Sequence, residues 1–335
     1  MNRRQHLLHL AGLAGSAAAL GLPSWAWAQS MTMKLTATTS EDLGIDWLTA
    51  YKANIEAATQ GKVKGQVYPA SQLGTAQRTI EGVSMGTIEM AMNASGMYEG
   101  LDPRFGALAV PGVFDNIDHG LKLLADPETR KRLASIATGK GVEVLTTLIH
   151  SQCSIVSRKP VRKLSDLKGQ KIRVPGSSIL IAQLKQLGAN PVSMSLGEVL
   201  PAFQNGTLDG VYSGTPIPSA LKYYDVAKAQ TLLPSTYIAI VGLVSPTFFK
   251  TTGALEPALR QAARKTDDEV APRVNARVQE ARVIWEKGGG EMIELSAADA
   301  KAYLDAVIPA AQKELTPAAR QDYEALRAIG AKYRS

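Results

Sequence analysis

The segment from Met33 to Met92 alternates between two hydrophobic periods, and this alternation limits the folds open to the chain. Met33–Thr39, Val63–Tyr68 and Ile88–Met92 have the pattern of strands. The segments between them carry apolar residues at the 3.6-residue spacing of helices. Parallel strands need a crossover connection, whereas antiparallel strands can be joined by a tight turn. The order strand–helix–strand–helix–strand therefore predicts parallel pairing in an open α/β sheet.

A second set of strand and helix patterns follows from residue 142 and predicts a second α/β unit. We expect strands at Val142–Ile149, with an extension toward Ser157, at Lys171–Val174 and Pro191–Met194, and from Val211. Helices are predicted at Ser178–Leu187 and Leu196–Gln204, each followed closely by a glycine. Two such units predict a two-lobed molecule joined by strands that cross between them.

The last part of the chain is predicted to be helical. Glu256–Lys287 has apolar residues at helical spacing, with a kink expected at Pro272. Three glycines end this long helix, and a strand at Met292–Leu295 with two further helices follows. Basic residues of the long helix alternate with acidic ones, which is typical of a solvated helix face and not of a nucleic-acid surface. No nucleic-acid partner is therefore expected.

The first 28 residues have the pattern of an export signal. Arg3 and Arg4 precede an apolar stretch from Leu7 to Leu22, and Ala26–Trp27–Ala28 supplies a small-residue cleavage site. The stretch is short for a membrane span, so we expect cleavage after Ala28 and a mature protein that is not embedded in the membrane. The paired arginines leave twin-arginine export open beside the general route. Cleavage lowers the net charge from +7 to +5, with 35 Lys+Arg against 30 Asp+Glu.

Few residues in the chain are suited to metal or nucleophilic chemistry. Cys153 is the single cysteine and is expected to be buried, and the mature protein keeps only His119 and His150. We expect an exposed turn at His119 and favour a structural histidine over a catalytic base at His150. Neither a Gly-x-Ser-x-Gly elbow nor a nucleotide-binding glycine motif occurs. These observations predict no metal, no cofactor and no enzymatic activity.

Residues 168–210 carry three motifs in a fixed order: GQKIRVP, then LGANP, then GTLDG. With QLG at Gln72–Gly74 and the segment Val83–Ala91, they resemble the substrate-binding proteins of tripartite ATP-independent periplasmic (TRAP) transporters, the DctP-like family. The resemblance extends from about Met33 to Phe249 and more loosely to Gly290. It implies a periplasmic, two-lobed binding protein with a ligand cleft between the lobes. It also implies an organic-acid ligand and the small and large membrane subunits of a TRAP transporter as partners.

The lobes are expected to be discontinuous along the chain. We predict lobe I as residues 29–150 plus about 240–282, and lobe II as residues 151–239 plus about 283–335. The resemblance implies a fold of two α/β lobes with a long helix in the C-terminal part.

Arg173 is the main candidate for ligand binding. It lies on a short strand that ends at Pro175 and Gly176, and α/β folds bind ligands at the carboxyl ends of strands. A guanidinium matches a carboxylate through two parallel hydrogen bonds. In the family, the arginine at this position pairs with the ligand carboxylate, which implies the same role for Arg173. A structural ion pair is the alternative.

The other candidates follow from their positions. Gln152 stands where the family usually has a second arginine, and Tyr212 and Ser213 stand where it often has Glu-Asn. These departures favour a monocarboxylate with a polar or ring-bearing tail over a C4-dicarboxylate. Thr39, Asn93 and Ser95 lie at strand ends of the first lobe, with ordinary turn or cap roles as alternatives. Tyr237 could line the cleft, although core packing is favoured for it.

Two other interpretations remain open at this point. The first is the binding protein of a different uptake system, against which the KIRVP strand and the Asn190–Pro191 step argue. The second is a secreted hydrolase or lyase that acts on a small acid, with Glu198 or Asp209 as general base.

Overall fold

A computed structural model describes residues 30–334, and within this range nine strands form one mixed sheet. Their order is β2–β1–β3–β8–β4–β7–β5–β6, with β9 beside β8. The strands are β1 (Met31–Ala37), β2 (Val63–Tyr68), β3 (Met90–Ala94), β4 (Glu143–Ser157), β5 (Lys171–Val174), β6 (Asn190–Ser193), β7 (Gly210–Gly214), β8 (Ala229–Val244) and β9 (Glu291–Ile293). The predicted export signal at residues 1–28 lies outside the described residues.

Two long antiparallel strands, β4 and β8, connect the two halves of the sheet. In one half, Glu143–Gln152 pairs with Tyr237–Val244, and β3, β1 and β2 continue the sheet. In the other half, Ser154–Ser157 pairs with Ala229–Leu232 beside β7, β5 and β6. We name the first half with its helices lobe I and the second half with its helices lobe II. The molecule is therefore a two-lobed α/β protein, as the sequence predicts.

Twelve α-helices surround this sheet within the described range, and none of them combines the length and apolarity that crossing a bilayer requires. They are α1 (Leu43–Ala58), α2 (Ala76–Ser84), α3 (Ile117–Ala125), α4 (Pro127–Ala134), α5 (Ser178–Gln186), α6 (Leu196–Gln204), α7 (Pro216–Ala220), α8 (Pro246–Thr252), α9 (Glu256–Val270), α10 (Val274–Lys287), α11 (Ala297–Glu314) and α12 (Pro317–Gly330). The predicted kink at Pro272 is confirmed as a 3₁₀ turn that separates α9 from α10.

Each lobe has its own hydrophobic core. In lobe I, Trp47 and Tyr51 of α1 stack with ring centroids 4.7 Å apart and are fully buried. In lobe II, Phe203 of α6 packs edge-on against Tyr223. Such buried aromatic pairs contribute roughly 0.5–1.5 kcal/mol beyond the area that they bury. The interiors of the two halves of the sheet are therefore largely distinct.

The last helix packs on lobe I, although the predicted bounds place residues 283–335 with lobe II. Asp322 of α12 is buried and accepts hydrogen bonds from Arg104 Nε at 2.6 Å and Arg132 Nη1 at 2.9 Å. The apolar face of α12, which includes Leu326, belongs to the core of lobe I. In contrast, Tyr303 and Val307 of α11 belong to the core of lobe II. We therefore propose the predicted lobe bounds with α12 reassigned to lobe I.

Two local predictions differ from the structure. His119 lies in α3 rather than in an exposed turn; it is buried, with Nε2 3.0 Å from the Gly330 carbonyl oxygen. Strand β8 is absent from the sequence predictions, and it contains Pro234, whereas an internal proline ordinarily argues against a central strand. The structure accommodates Pro234 at an irregularity, where the pairing with β4 shifts between Leu232 and Tyr237.

Candidate functional site

A cavity lies between the lobes, where β1, β3 and β5 end. Lobe I contributes the carboxyl ends of β1 and β3, and lobe II contributes β7 and the end of β5. Apolar side chains such as Met92, Leu180 and Ile240 form much of its wall. Its polar lining residues are Thr38, Thr39, Asp42, Asn93, Ser95, His150, Arg173, Tyr212, Ser213 and Tyr237. A largely apolar wall with a few placed polar groups is typical of small-molecule sites.

Among the described residues, Arg173 is the one arginine that lines the cavity, and no lysine lines it. It is 3% exposed, and its neighbours Ile172 and Val174 are fully buried on the same short strand. The Nε atom donates to the Met194 carbonyl oxygen at 2.9 Å, whereas Nη2 has no hydrogen-bond partner within residues 30–334. In the same range, no carboxylate oxygen forms a salt bridge with Arg173.

Burial lowers the pKa of the Arg173 guanidinium to about 10, which leaves it protonated at neutral pH. A buried charge without a counter-charge costs several kcal/mol. The free Nη2 therefore makes Arg173 suited to a carboxylate that enters the cavity.

Tyr212, Ser213 and Tyr237, all predicted from sequence, line the cavity from β7, which pairs with the strand of Arg173, and from β8. Tyr212 and Ser213 are buried in β7, and Tyr237 lies in β8. Tyr237 also lines a second cavity, together with Asn116 and Asn275. These side chains add two phenol groups and a hydroxyl to the part of the cavity wall that β7 and β8 form.

Thr39, Asn93 and Ser95 line the opposite side, in lobe I, at or just after the ends of β1 and β3. Asn93 is buried at the end of β3, where its Oδ1 accepts from Thr38 Oγ1 at 3.3 Å. Its Nδ2 donates to the Tyr98 hydroxyl at 3.4 Å. The amide is thus held in place by lobe I before any ligand arrives.

Gln152 is the one predicted site residue that the structure places outside this cavity. Its Nε2 donates to the Leu233 carbonyl oxygen at 2.9 Å, and it lines the second cavity with Thr215 and Asn116. The pairing of β4 with β8 shifts at Gln152, and such irregularities change the face to which side chains point. The proposed general bases also lie elsewhere: Glu198 takes part in the cap of α6, and Asp209 accepts from the Lys171 amide at 2.8 Å.

Asp42 and His150 line the cavity and were not among the residues predicted for the site. Asp42 is 5% exposed and His150 is 3% exposed, and Asp42 Oδ2 lies 3.1 Å from His150 Nε2. Burial alone raises the pKa of Asp42, but the hydrogen bond and charge of His150 and the Ile45 amide outweigh it and hold the pKa below 3.8. Asp42 lies five residues after the end of β1, so its place near a strand end was a usable signal, although a residue of this type before a helix also fits the role of an N-cap.

The lobes meet at the beginning of α5, beside the cavity. The Glu99 carboxylate of lobe I accepts hydrogen bonds from the Ser177 hydroxyl and from the amide and hydroxyl of Ser178. Burial raises the pKa of Glu99, and these hydrogen bonds offset part of that increase. A Cβ added at Gly96 would lie 3.1 Å from Ser177 Cβ. Lobe I and α5 are therefore in close contact in this structure.

Within residues 30–334, no three His, Cys, Asp or Glu side chains are grouped so that they could hold one metal ion. Cys153 is buried, and burial raises the pKa of its thiol to about 12. At neutral pH this cysteine is a protonated, inaccessible thiol.

The sequence profile of bacterial extracellular solute-binding protein family 7, DctP, matches residues 36–316. The 2,3-diketo-L-gulonate-binding periplasmic protein YiaO of Escherichia coli is 31% identical over 258 residues, which cover 76% of this chain and 77% of YiaO. The C4-dicarboxylate-binding periplasmic protein DctP of Vibrio cholerae is 26% identical over 257 residues, or 76% of each chain.

Solved structures share the fold. A TRAP periplasmic solute-binding protein of Xanthobacter autotrophicus Py2, with bound β-D-galacturonate, has a TM-score of 0.83 at 26% identity and covers 88% of this chain and 99% of its own. One from Desulfovibrio salexigens, with bound orotic acid, has a TM-score of 0.85 at 22% identity, with 91% and 100% covered.

Proposed function

Because the chain belongs to bacterial extracellular solute-binding protein family 7, the DctP family, we propose that it binds a small organic acid between its lobes and delivers it to a TRAP transporter. Proteins of this family bind substrates outside the cytoplasm, and periplasmic relatives are among its matches. The delivery step requires the small and large membrane subunits of the transporter as partners. That part of the proposal rests on the family.

The observation that carries the proposal is the buried guanidinium of Arg173. Its Nη2 is unpartnered among the described residues, it faces a largely apolar cavity, and it is charged at neutral pH. A ligand carboxylate supplies both the missing acceptor and the missing counter-charge. Each hydrogen bond to a charged group contributes roughly 1.5–3 kcal/mol.

The names of two relatives agree with an acid ligand. YiaO is named for binding 2,3-diketo-L-gulonate, and the X. autotrophicus protein holds galacturonate. Both compounds are carboxylates that also carry hydroxyl groups. In the cavity described above, Tyr212, Ser213, Asn93 and Thr39 are the polar groups suited to the rest of such a ligand.

Ligand binding in this protein is proposed to be reversible and noncatalytic. The two carboxylates considered as general bases, Glu198 and Asp209, do not line the cavity. We propose that residues 1–28 direct export and are removed after Ala28, by the general or the twin-arginine route, so that the protein acts in the periplasm.

The purified mature protein, residues 29–335, tests this proposal in a thermal-shift screen of carboxylic acids with three to nine carbons. At least one acid is expected to raise the Tm in a concentration-dependent way, because a ligand that binds only the folded state stabilises it by mass action. Nuclear magnetic resonance spectra of that acid after long incubation are expected to be unchanged. A chemically altered acid would support the hydrolase or lyase alternative instead.

A further inference from the structure

Asp42 and His150 form a buried pair whose place in the cavity is not explained by the capture of one carboxylate. Both line the cavity from the lobe I side and β4, whereas Arg173 lines it from lobe II. We propose that this pair makes the site selective for monocarboxylates that carry hydroxyl groups, and that Asp42 rejects a second carboxylate. This inference rests on the proposed function and adds the chemical class of the ligand to it.

Both ring nitrogens of His150 already have protein partners. Nε2 lies 3.1 Å from Asp42 Oδ2, and Nδ1 lies 2.8 Å from the Ser151 hydroxyl. A ligand carboxylate therefore finds no free N–H on this imidazole. Since no other histidine and no lysine of residues 30–334 lines the cavity, Arg173 is the cation that remains there for one carboxylate.

Asp42 keeps acceptor capacity for a donor on the ligand. A carboxylate has about four lone-pair positions. The Ile45 amide takes one on Oδ1 at 3.0 Å, and His150 takes one on Oδ2. Another position remains for a hydroxyl of the ligand, which can donate to it.

A second carboxylate on the ligand meets the opposite situation at Asp42. It has no proton to donate at neutral pH, and it places a negative charge near the buried, ionised Asp42, while both ring nitrogens of the partner His150 are already engaged by Asp42 and Ser151. Like charges in a poorly solvated site repel more strongly than in water. The neighbouring polar groups of lobe I, Thr39, Asn93 and Ser95, are hydroxyls and an amide. Such groups hydrogen-bond to ligand hydroxyls and bring no compensating positive charge.

The test is isothermal titration calorimetry of the purified protein with four six-carbon acids that vary two features independently. Gluconate has hydroxyls and one carboxylate, glucarate has hydroxyls and two, hexanoate has no hydroxyls and one, and adipate has no hydroxyls and two. We expect gluconate to bind about tenfold or more tighter than each of the other three, since a hydrogen bond to a charged group has at least that effect. 6-Aminohexanoate tests whether an ammonium group occupies the place assigned to the hydroxyls.

The variant Asp42→Asn keeps the shape of the side chain and a good helix-capping group while it removes the charge. We expect the discrimination between gluconate and glucarate to fall about tenfold in this variant. Asp126→Asn is the matched control, because Asp126 is a buried helix-capping aspartate that does not line the cavity. This control is expected to keep the discrimination of the unmodified protein.

The outcomes separate the two proposals. If glucarate, hexanoate, adipate or 6-aminohexanoate binds as tightly as gluconate, or if Asp42→Asn leaves the gluconate-to-glucarate ratio unchanged, the selectivity inference is wrong and acid binding stands. If the folded protein binds none of the five acids and none of the wider screen, the proposed function itself is contradicted. If the Asp42→Asn variant does not fold, the binding measurements on the unmodified protein still test the selectivity inference.

Discussion

The Glu99 carboxylate of lobe I accepts hydrogen bonds from the backbone amide and the hydroxyl of Ser178 in lobe II, both at 2.9 Å. Ser178 is the first residue of α5, so the carboxylate lies at the positive end of the helix dipole. Ser178 also follows Arg173 by five residues on a short connection. A ligand held by Arg173 and the contact with Glu99 therefore draw the same segment toward lobe I.

We predict that Glu99→Ala raises the dissociation rate of the bound acid about tenfold while its association rate stays nearly the same. The reason is that the hydrogen bonds to Ser177 and Ser178 exist only when the lobes are together, and hydrogen bonds to a charged group contribute roughly 1.5–3 kcal/mol each when buried. Stopped-flow fluorescence or surface plasmon resonance measures both rates. Glu81→Ala is the control, since Glu81 is exposed and its carboxylate accepts a hydrogen bond from the neighbouring Gln77 side chain. Equal dissociation rates for the Glu99 and Glu81 variants would contradict a role for Glu99 in closure.

Gly96 is predicted to be required because a side chain there would hold the lobes apart. The Cβ of any replacement would lie 3.1 Å from Ser177 Cβ and 3.2 Å from its Oγ, whereas a Cβ at Gly100 would meet nothing within 4 Å. Overpacking of this kind costs roughly 1–3 kcal/mol, so Gly96→Val is expected to weaken acid binding by about 5- to 100-fold. Gly100→Ala is the control and is expected to bind the acid with the affinity of the unmodified protein. Calorimetric titration checks the affinities, and an unchanged affinity in Gly96→Val would show that closure at this contact is not needed.

Replacement of Arg173 is predicted to change binding and stability in opposite directions. Arg173→Met removes a buried charge that has no carboxylate partner among the described residues, so the free energy of unfolding without ligand is expected to rise by about 1–3 kcal/mol. Acid binding should weaken by at least about 100-fold, because two charge-assisted hydrogen bonds are lost. Urea denaturation and calorimetry measure the two effects. A less stable variant with unchanged affinity would instead indicate a structural ion pair.

Asp267 is predicted to make the protein less stable as the pH rises from about 4 to 6. Burial raises its pKa from 3.8 to about 6, although Trp47 Nε1 and Thr146 Oγ1 both donate to its Oδ1. A folded-state pKa above the unfolded value means that the folded state binds the proton more tightly, so stability decreases with pH across this window.

The variant Asp267→Asn keeps an acceptor for Trp47 and Thr146 and removes the ionisation. A shift of this size corresponds to up to about 3 kcal/mol, so the variant is expected to be about 1–3 kcal/mol more stable at pH 7. The difference in stability between the variant and the unmodified protein should vanish below pH 4, where the carboxyl group of Asp267 is neutral like the amide that replaces it. Urea denaturation at several pH values checks this, with Asp268→Asn as the exposed neighbour for comparison. A pH-independent difference between the two proteins would argue against ionisation of Asp267 as its cause.

Local sequence patterns were sufficient to predict the structure wherever the conformation depends on one short segment of the chain. The alternation in β1 and β2 and the glycine-bounded helices α5 and α6 formed close to their predicted ranges. Arg173 could be singled out because the strand, the following proline and glycine, and the residue type all lie within six positions. Strand β8 could not be predicted, since its proline is tolerated only because the partner strand shifts its register there.

What the sequence determined by itself is the repeating α/β order and the place of Arg173 at the end of a strand, because both depend on residues that are neighbours in the chain. Only the tertiary structure decided which side chains share the cavity. His150 meets Asp42 across 108 residues of sequence, and Glu99 meets Ser178 across 79. The same long-range pairing of β4 with β8 turned Gln152 away from the cavity. Hydrophobic periodicity specifies the conformation of each segment, but the register of two long strands depends on packing across the whole sheet, and one shifted residue reverses the direction of every side chain that follows.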